Sequence, residues 1–432
     1  MLRHTNLKSK EMKRLFATIL TATAAIGAKA QNRFPKPDFE SGYEYPDLQY
    51  AVPNELMWDV LDVVLLLALL ASAAWAITRR RKPMIWISLI SVLYFGFFRE
   101  GCVCSVGSIQ NIVLAMVDET YHLPWVVLCF FLLPIIFAFL FGRVFCAGVC
   151  PMGALQELVN VKNGRISKPI TMVLGLLPWL YLALTILYAA TRSRFLVCQF
   201  DPFIGIFRLG GDIELLAFGI LLLIISVFTG RPFCRFLCPY GALLSLFSSV
   251  AVKRIKITDK KCINCDLCHN SCPVDAIQPP YANTPQEERK EGVKRILGYA
   301  LLMPLLIVAG AMLMRMSSDV MSRAHKEVRL YDLVTAYEAE ENPEIIPLEV
   351  EAFYMRGRTM EELQASAEKV QADYRLYSTW IGAMMGLVLA IALIRFSVKR
   401  RRETYEIDQA ACVACGQCFS YCPQNKVGDS KN

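Results

Sequence analysis

Residues 142–158, with the sequence GRVFCAGVCPMGALQEL, recur at residues 230–246 as GRPFCRFLCPYGALLSL. Ten of the 17 positions are identical, without a gap. Each copy follows an apolar segment and carries a C-x3-C-P motif. Because the preceding segments also correspond, we predict two parallel repeats, at 84–158 and 169–246, related by an axis along the membrane normal.

The cysteines of the two copies are candidate ligands of one metal centre. They are Cys146, Cys150, Cys234 and Cys238. If the copies meet at their pseudo-axis, four thiolates suffice for one iron–sulfur cluster at the inner membrane edge. Pro151 and Pro239 suit the first turn of a following helix, whose N-terminus favours anions. Arg143 and Arg231 either balance this charge or anchor the chain at the membrane surface. A zinc-like site or inert thiol pairs are the alternatives.

Two other cysteine runs have the bacterial ferredoxin spacing C-x2-C-x2-C-x3-C-P. They are formed by Cys262, Cys265, Cys268 and Cys272, and by Cys412, Cys415, Cys418 and Cys422. In two-cluster ferredoxins, the last cysteine of each run binds the other cluster. We therefore expect one [4Fe–4S] cluster on Cys262, Cys265, Cys268 and Cys422. We expect the second cluster on Cys412, Cys415, Cys418 and Cys272. A fourth ligand supplied locally is the weaker alternative.

The first run also contains Cys265-Asp-Leu-Cys268-His269, which matches the haem-attachment pattern C-x-x-C-H. Both cysteines already belong to the ferredoxin run, so we do not expect haem here. We predict that His269 is a solvated residue close to a cluster.

The composition indicates a membrane protein. The chain of 432 residues is 55% hydrophobic with a mean hydropathy of +0.39, and only 19% of its residues are charged, against about 25% in soluble proteins. The predicted fold is a polytopic α-helical membrane protein with about seven spans and a bacterial-ferredoxin-like 2[4Fe–4S] module. The apolar segments lie at about 57–77, 84–98, 124–141, 169–190, 214–229, 296–314 and 379–396.

Charge distribution predicts the orientation. Residues 1–30 resemble a secretory signal peptide with an A-x-A site at its end, so residues 31–56 are expected outside the cytoplasm. Loop 315–378 has 8 Lys and Arg against 13 Asp and Glu and is also expected outside. The loops between are basic, which places the halves of the ferredoxin module, 251–290 and 399–432, in the cytoplasm of a bacterium.

The predicted organisation has a membrane domain at 57–250 and a membrane hairpin at 296–396. Three more cysteines, Cys102, Cys104 and Cys198, lie near the outer ends of short spans in corresponding places of the repeats. We expect them to hold a redox metal, with a disulfide as the alternative because the outside is oxidising. Cys129 is expected to be a small buried apolar residue.

The order of these motifs resembles that of the NosR/NirI and NapH group of polyferredoxin membrane proteins, over roughly 57–280 and the C-terminal run. The resemblance implies electron transfer between the quinone pool or cytoplasmic donors and extracytoplasmic reductases, such as those for nitrous oxide or nitrate. It also implies ligand roles for the C-x3-C-P and ferredoxin cysteines. The flavin-attachment motif of NosR-like proteins is absent from this sequence, so FMN is not expected on this chain.

We therefore predict an inner-membrane iron–sulfur protein that passes electrons between a cytoplasmic or quinol donor and a membrane or extracytoplasmic acceptor. It would be a subunit of an oxidoreductase system without catalytic residues of its own, served by an extracytoplasmic redox partner or flavin subunit. The alternatives are a metal-reducing assembly or maturation factor for a respiratory metalloenzyme, and a membrane redox sensor. Nucleic acid is not an expected partner, because membrane topology accounts for the basic residues.

Overall fold

The computed structural model describes eight stretches of the chain. They are residues 56–79, 84–101, 104–210, 212–257, 262–280, 289–339, 346–397 and 403–424. The predicted signal peptide, nearly all of segment 31–56, and Cys102 lie outside the described residues.

Almost all regular structure in these stretches is helical. The first elements are α1 (Leu56–Thr78), α2 (Met84–Ser91) with a π-helical extension (Val92–Phe98), α3 (Ser105–Val117), α4 (Trp125–Phe141), a π-helical turn (Phe145–Val149), α5 (Pro151–Val159), α6 (Lys168–Leu174) and α7 (Leu177–Ala190). Next come α8 (Leu196–Phe200), α9 (Ile204–Arg208), α10 (Ile213–Phe228), α11 (Pro232–Phe236) and α12 (Pro239–Ser249). The remainder are α13 (Leu267–Asn270), β1 (Ile277–Gln278), α14 (Arg289–Ser322), α15 (Lys326–Ala339), α16 (Leu348–Met355), α17 (Met360–Ser397), β2 (Glu406–Ile407) and α18 (Gln417–Tyr421).

Apolar helices dominate the described chain, as predicted. Four helical stretches are long and apolar enough to cross a membrane: Leu56–Thr78, Lys168–Ala190, Lys290–Ser322 and Met360–Ser397. Four shorter apolar helices accompany them: Met84–Phe98, Ser105–Val117, Trp125–Phe141 and Ile213–Phe228.

Helix α3 is not among the seven segments expected from the sequence. Its buried face carries small and polar residues, including Ser105, Gly107, Ser108 and Gln110, which lowers its hydropathy. Its 13 residues extend for about 20 Å, whereas the hydrocarbon core of a bilayer is about 30 Å thick. Helix α3 is therefore too short to span a bilayer of ordinary thickness.

Helices α14 and α17 pack along one another through glycines. A methyl group added to Gly382 would lie 2.7 Å from the Cβ of Met314, and one added to Gly386 would collide with the carbonyl oxygen of Leu306. The absence of side chains at these positions lets the two backbones approach closely, as small residues do in membrane helix pairs.

The described residues of loop 315–378 include helices with a core of their own. This core consists of Val334 on α15, Val350 and Phe353 on α16, and Leu363 on α17. Further along α17, Tyr374 and Ile381 pack against α7. Helix α17 therefore connects the helical loop to the membrane domain.

The close approach of α14 and α17 generates a first prediction. Gly386→Ala should destabilise the purified protein by about 1–3 kcal/mol, because the added methyl group collides with backbone rather than with a flexible side chain. Gly298→Ala is the matched control, since an added methyl group there meets nothing within 4 Å beyond the adjoining residues and the backbone of its own helix. Thermal unfolding in detergent measures both variants. Equal melting temperatures for the two would contradict the packing described.

Candidate iron–sulfur centres

The two ferredoxin-like runs lie side by side although the sequence separates them widely. Strands β1 and β2 pair antiparallel, with Ile277 opposite Ile407. The backbone N–H of Asp408 donates to the carbonyl of Ala276 at 2.8 Å. The Tyr405 hydroxyl donates to Asp266 at 2.8 Å. These contacts join both runs into one module.

One cavity in this module collects cysteines from both runs. Its thiol lining consists of Cys272, Cys412, Cys415 and Cys418, and we call these four residues the proximal set. Most other residues around the cavity are apolar, including Ile255, Val274, Ile277 and Ile407. The grouping is the one that ligand exchange between the two runs predicts.

The remaining ferredoxin cysteines form a second group, which we call the distal set. It consists of Cys262, Cys265, Cys268 and Cys422, and the charges of the other three act on Cys268. Burial and these like charges raise the pKa of Cys268 to about 11. The charge of Cys268 in turn acts on Cys418 of the proximal set. Helices α13 and α18, which carry Cys268 and Cys418, pack against each other, so the two sets are neighbours.

The C-x3-C-P cysteines of both copies also come together. We call Cys146, Cys150, Cys234 and Cys238 the membrane-edge set. Cys150 and Cys238 each end their C-x3-C motif and precede the N-terminal proline of a helix, α5 and α12. Burial raises the pKa of Cys150 well above its ordinary value, and the charges of the other three thiols raise it further.

Backbone N–H groups point at sulfur in two of the sets. Ala276 donates to the Sγ of Cys272 at 3.3 Å, and Ala414 to the Sγ of Cys412 at 3.4 Å. In the membrane-edge set, Gly241 donates to the Sγ of Cys238 at 3.3 Å. Hydrogen bonds of this kind stabilise thiolate charge and help set the reduction potential of iron–sulfur clusters.

The donor sets fit iron–sulfur clusters. Burial raises the pKa of Cys412 to about 11 and that of Cys418 to about 12, so these two thiols would be neutral at pH 7 without a metal. Coordination to a metal deprotonates a thiol outright. In the part of the chain that the structure describes, no three Cys, His, Asp or Glu side chains surround a single-ion site. A cube that presents one iron to each cysteine does not require its ligands to converge on a single ion.

Arg231 lies between the membrane-edge and proximal sets. Its fully buried side chain donates to the carbonyls of Cys146 and Ala147, the latter at 2.7 Å, and to Glu157 at 2.8 Å. The second oxygen of Glu157 accepts a hydrogen bond from Gln417 in the ferredoxin module. Arg231 therefore links the cysteine loop of the other copy to the module.

Burial alone would lower the pKa of Arg231. The negative charges of Glu157 and, once these thiols are ionised, of Cys415 and Cys234 outweigh that penalty and raise the pKa above its ordinary value. The guanidinium is thus a permanent positive charge that acts on both thiol sets.

Arg143, at the equivalent position of the first copy, makes the reciprocal contacts. It donates to Gly241 of the second copy at 3.3 Å and to Ala411 and Cys412 of the module at 2.7 and 3.3 Å. Its side chain is nearly buried. Each arginine therefore holds the cysteine segment of the other copy. Arg143 bonds to the ferredoxin module directly, and Arg231 is linked to it through Glu157 and Gln417.

Two buried glutamines hold cysteines, and the sequence analysis missed both. Gln156 donates to the Sγ of Cys234 at 3.5 Å and accepts from the N–H of Phe233. Gln110 does the same for Cys198, at 3.3 Å, and for the N–H of Val197. Comparison of the two copies could not reveal Gln156, because the second copy has leucine at that position, and Gln110 lies outside the aligned residues.

Of the three cysteines expected near the outer ends of the spans, the structure describes Cys104 and Cys198, and Cys104 lies close to the membrane-edge set. Cys104 and Cys150 line one apolar cavity with Phe95, Phe145 and Phe207. The charges of Asp201 and Cys198 act on Cys104. Within the described residues, no disulfide joins Cys104 to Cys198.

The structure corrects one expectation and adds one ion pair. His269 is 9% exposed, so it is not the solvated residue expected, and its ring lies 5.9 Å from that of Tyr405.

Asp62, within α1, is fully buried, accepts from Tyr94 at 2.9 Å and pairs with Arg99 at 2.7 Å. This pairing supplies the partners that a carboxylate within an apolar helix requires.

Family models match the cysteine-rich parts of the chain. One model, described as a 4Fe-4S binding domain, matches twice, at residues 123–169 and 212–258. A second model with the same description matches the two ferredoxin-like runs, at residues 255–278 and 405–425. The first model thus includes both C-x3-C-P motifs, one in each match.

Several curated proteins are similar to this chain. An uncharacterized protein of Methanocaldococcus jannaschii is 29% identical over 42% of this chain and 77% of its own length. The regulatory protein NosR of Stutzerimonas stutzeri is 28% identical over 44% of this chain and 29% of its own. NirI of Paracoccus denitrificans is 25% identical over 64% of this chain and 45% of its own. This confirms the resemblance to NosR/NapH-like 4Fe–4S membrane proteins.

The NosR/NapH-like region is only part of several of these relatives. This chain spans less than half the length of NosR and of NirI. No solved structure matches the chain.

The grouping of thiols gives a second prediction. Cys272→Ser in the anaerobically purified protein should expose Cys412, Cys415 and Cys418 to alkylation, because Cys272 lies with them in one cavity. Cys422→Ser should expose Cys262, Cys265 and Cys268 instead. Peptide mass spectrometry of the alkylated protein measures both, with Cys129→Ser as the control. If Cys272→Ser exposed the cysteines of its own run, ligand exchange between the runs would be wrong.

Proposed function

We propose that this chain is a membrane-bound iron–sulfur electron-transfer protein that carries electrons between the cytoplasmic face and the interior or outer side of the membrane. It would hold [4Fe–4S] clusters on the proximal and distal sets and a further iron–sulfur centre on the membrane-edge set. Each bound cluster accepts and releases one electron at a time. The donor would be a quinol or a cytoplasmic low-potential carrier, and the acceptor a membrane or extracytoplasmic redox partner.

The observation that carries this proposal is the serial arrangement of the three sets. Helices α13 and α18, which carry Cys268 of the distal set and Cys418 of the proximal set, pack against each other. Arg143 donates to the carbonyl of Cys412 in the proximal set and to the carbonyl of Gly241, whose N–H donates to Cys238 in the membrane-edge set. No set is isolated from the next, as a path for electrons requires.

Contacts between the two copies and the ferredoxin runs stabilise this arrangement. Gly142 faces Ala414 of the second ferredoxin run, with 3.8 Å from its added methyl group to the Cβ of Ala414. Gly230, its counterpart in the second copy, packs so tightly on Pro273 of the first run that a methyl group would collide. Both copies therefore support the module, which favours repeats at 84–158 and 169–246 and a module built from 251–290 and 399–432.

We place this module on the cytoplasmic side and loop 315–378, which is part of the membrane hairpin 296–396, on the outside. The positive-inside rule supports this orientation, and a reducing cytoplasm keeps the ferredoxin thiols available for iron. The inner bacterial membrane is then the location, with most of residues 31–56 outside.

The outer thiols would continue the path as a redox metal site. Gln110 holds Cys198 by the same pair of hydrogen bonds with which Gln156 holds Cys234. Cys104 shares a cavity with Cys150 of the membrane-edge set. A carrier at this level would stand between the membrane-edge centre and an outer acceptor.

Vesicles test the function directly. We expect vesicles that contain the protein and enclosed ferricyanide to consume it when dithionite is added outside, one electron for each ferricyanide reduced. Cys146→Ala/Cys234→Ala should lower this rate to that of protein-free vesicles, because it removes ligands from the membrane-edge set. The absorbance of ferricyanide measures the rate.

Cys129→Ala is the control, since Cys129 lies within apolar helix α4 and outside the three sets. If the double variant transferred electrons at the rate of the unaltered protein, the membrane-edge set would not be part of the path.

A further inference from the structure

We propose that Arg143 and Arg231 are positioning residues that couple the membrane-edge centre to the proximal centre and raise the reduction potentials of both. This inference rests on the proposed function, since it requires iron–sulfur centres at both sets. An effect on reduction potentials is a role distinct from anchoring at the membrane surface and from stabilisation of the fold.

The contacts of the two arginines are reciprocal. Arg231, from the second copy, holds the carbonyls of Cys146 and Ala147 in the first. Arg143, from the first copy, holds the carbonyl of Gly241 in the second. Each guanidinium therefore fixes the position of the opposite cysteine segment, as its planar fork of donors allows.

Both arginines also reach the proximal set. Arg143 donates to the carbonyl of Cys412, a member of that set. The charge of Cys415 acts on Arg231. Arg231 is fully buried and Arg143 nearly so. Solvent therefore screens these charges much less than it would on the surface.

Charge determines the sign of the effect. An iron–sulfur centre gains one negative charge on reduction, so a nearby fixed cation stabilises the reduced form and raises the potential. Glu157, which pairs with Arg231 at 2.8 Å, partly offsets that cation. Removal of the guanidinium and removal of the carboxylate should therefore shift the potentials in opposite directions.

The distal set provides an internal reference. The largest charge effects on its Cys268 come from Cys262, Cys265 and Cys422 of the same set. Its potential should therefore shift less than those of the other two centres when the arginines are altered.

The test is an anaerobic redox titration followed by low-temperature EPR on the full-length protein. Arg231→Gln should lower the midpoint potentials of the membrane-edge and proximal centres, and Arg143→Gln should do the same. Arg231→Lys keeps the charge and should give potentials closer to those of the unaltered protein. Arg192→Gln is the control, because Arg192 is half-exposed and pairs with Asp118 away from the thiol sets.

Glu157→Gln keeps the inference testable if the arginine variants fail to fold. The substitution is nearly isosteric, and it should raise both potentials. Unchanged potentials with full cluster content, or a downward shift in Glu157→Gln, would overturn the inference. If the unaltered protein had no membrane-edge signal, the proposed function would fail instead, so the two failures are distinguishable.

Discussion

Compensation of buried negative charge is the constraint on which the rest of this structure depends. Thiols collect at the base of the membrane domain, and burial disfavours their ionised form. Arg231 and Arg143 supply positive charge from within the protein, and each crosses to the other copy to do so. Arg143 also bonds to the ferredoxin module directly, and Arg231 bonds to Glu157, which accepts a hydrogen bond from the module. Charge compensation and assembly thus depend on the same two side chains.

The sequence repeat explains why this arrangement is possible, and its differences explain why the two halves are not interchangeable. Both copies supply Gly-Arg before the cysteines and a proline-started helix after them. Only the first copy supplies Gln156 and Glu157, which hold Cys234 and Arg231 of the second. The first copy therefore provides two polar side chains whose equivalents are absent from the second copy.

Much of the fold and of the candidate site could be predicted because cysteine spacing and hydropathy are local signals. The ferredoxin runs, the C-x3-C-P pairs and most apolar helices follow from such signals. Helix α3 was missed because its buried face is polar and small, and Gln110 was missed with it. The burial of His269 and the roles of the arginines could not be predicted either, because they depend on contacts between distant segments. No spacing rule encodes a contact such as that between Arg143 and Cys412.

Iron and acid-labile sulfide content, with low-temperature EPR, tests the central claim most directly. With three iron–sulfur centres, each a [4Fe–4S] cluster, the anaerobically purified protein would hold about twelve irons and about twelve sulfides per chain. Loss of Cys146 and Cys234 would leave about eight of each. A content of only about eight irons in the unaltered protein, with all four membrane-edge cysteines open to alkylation, would contradict the account.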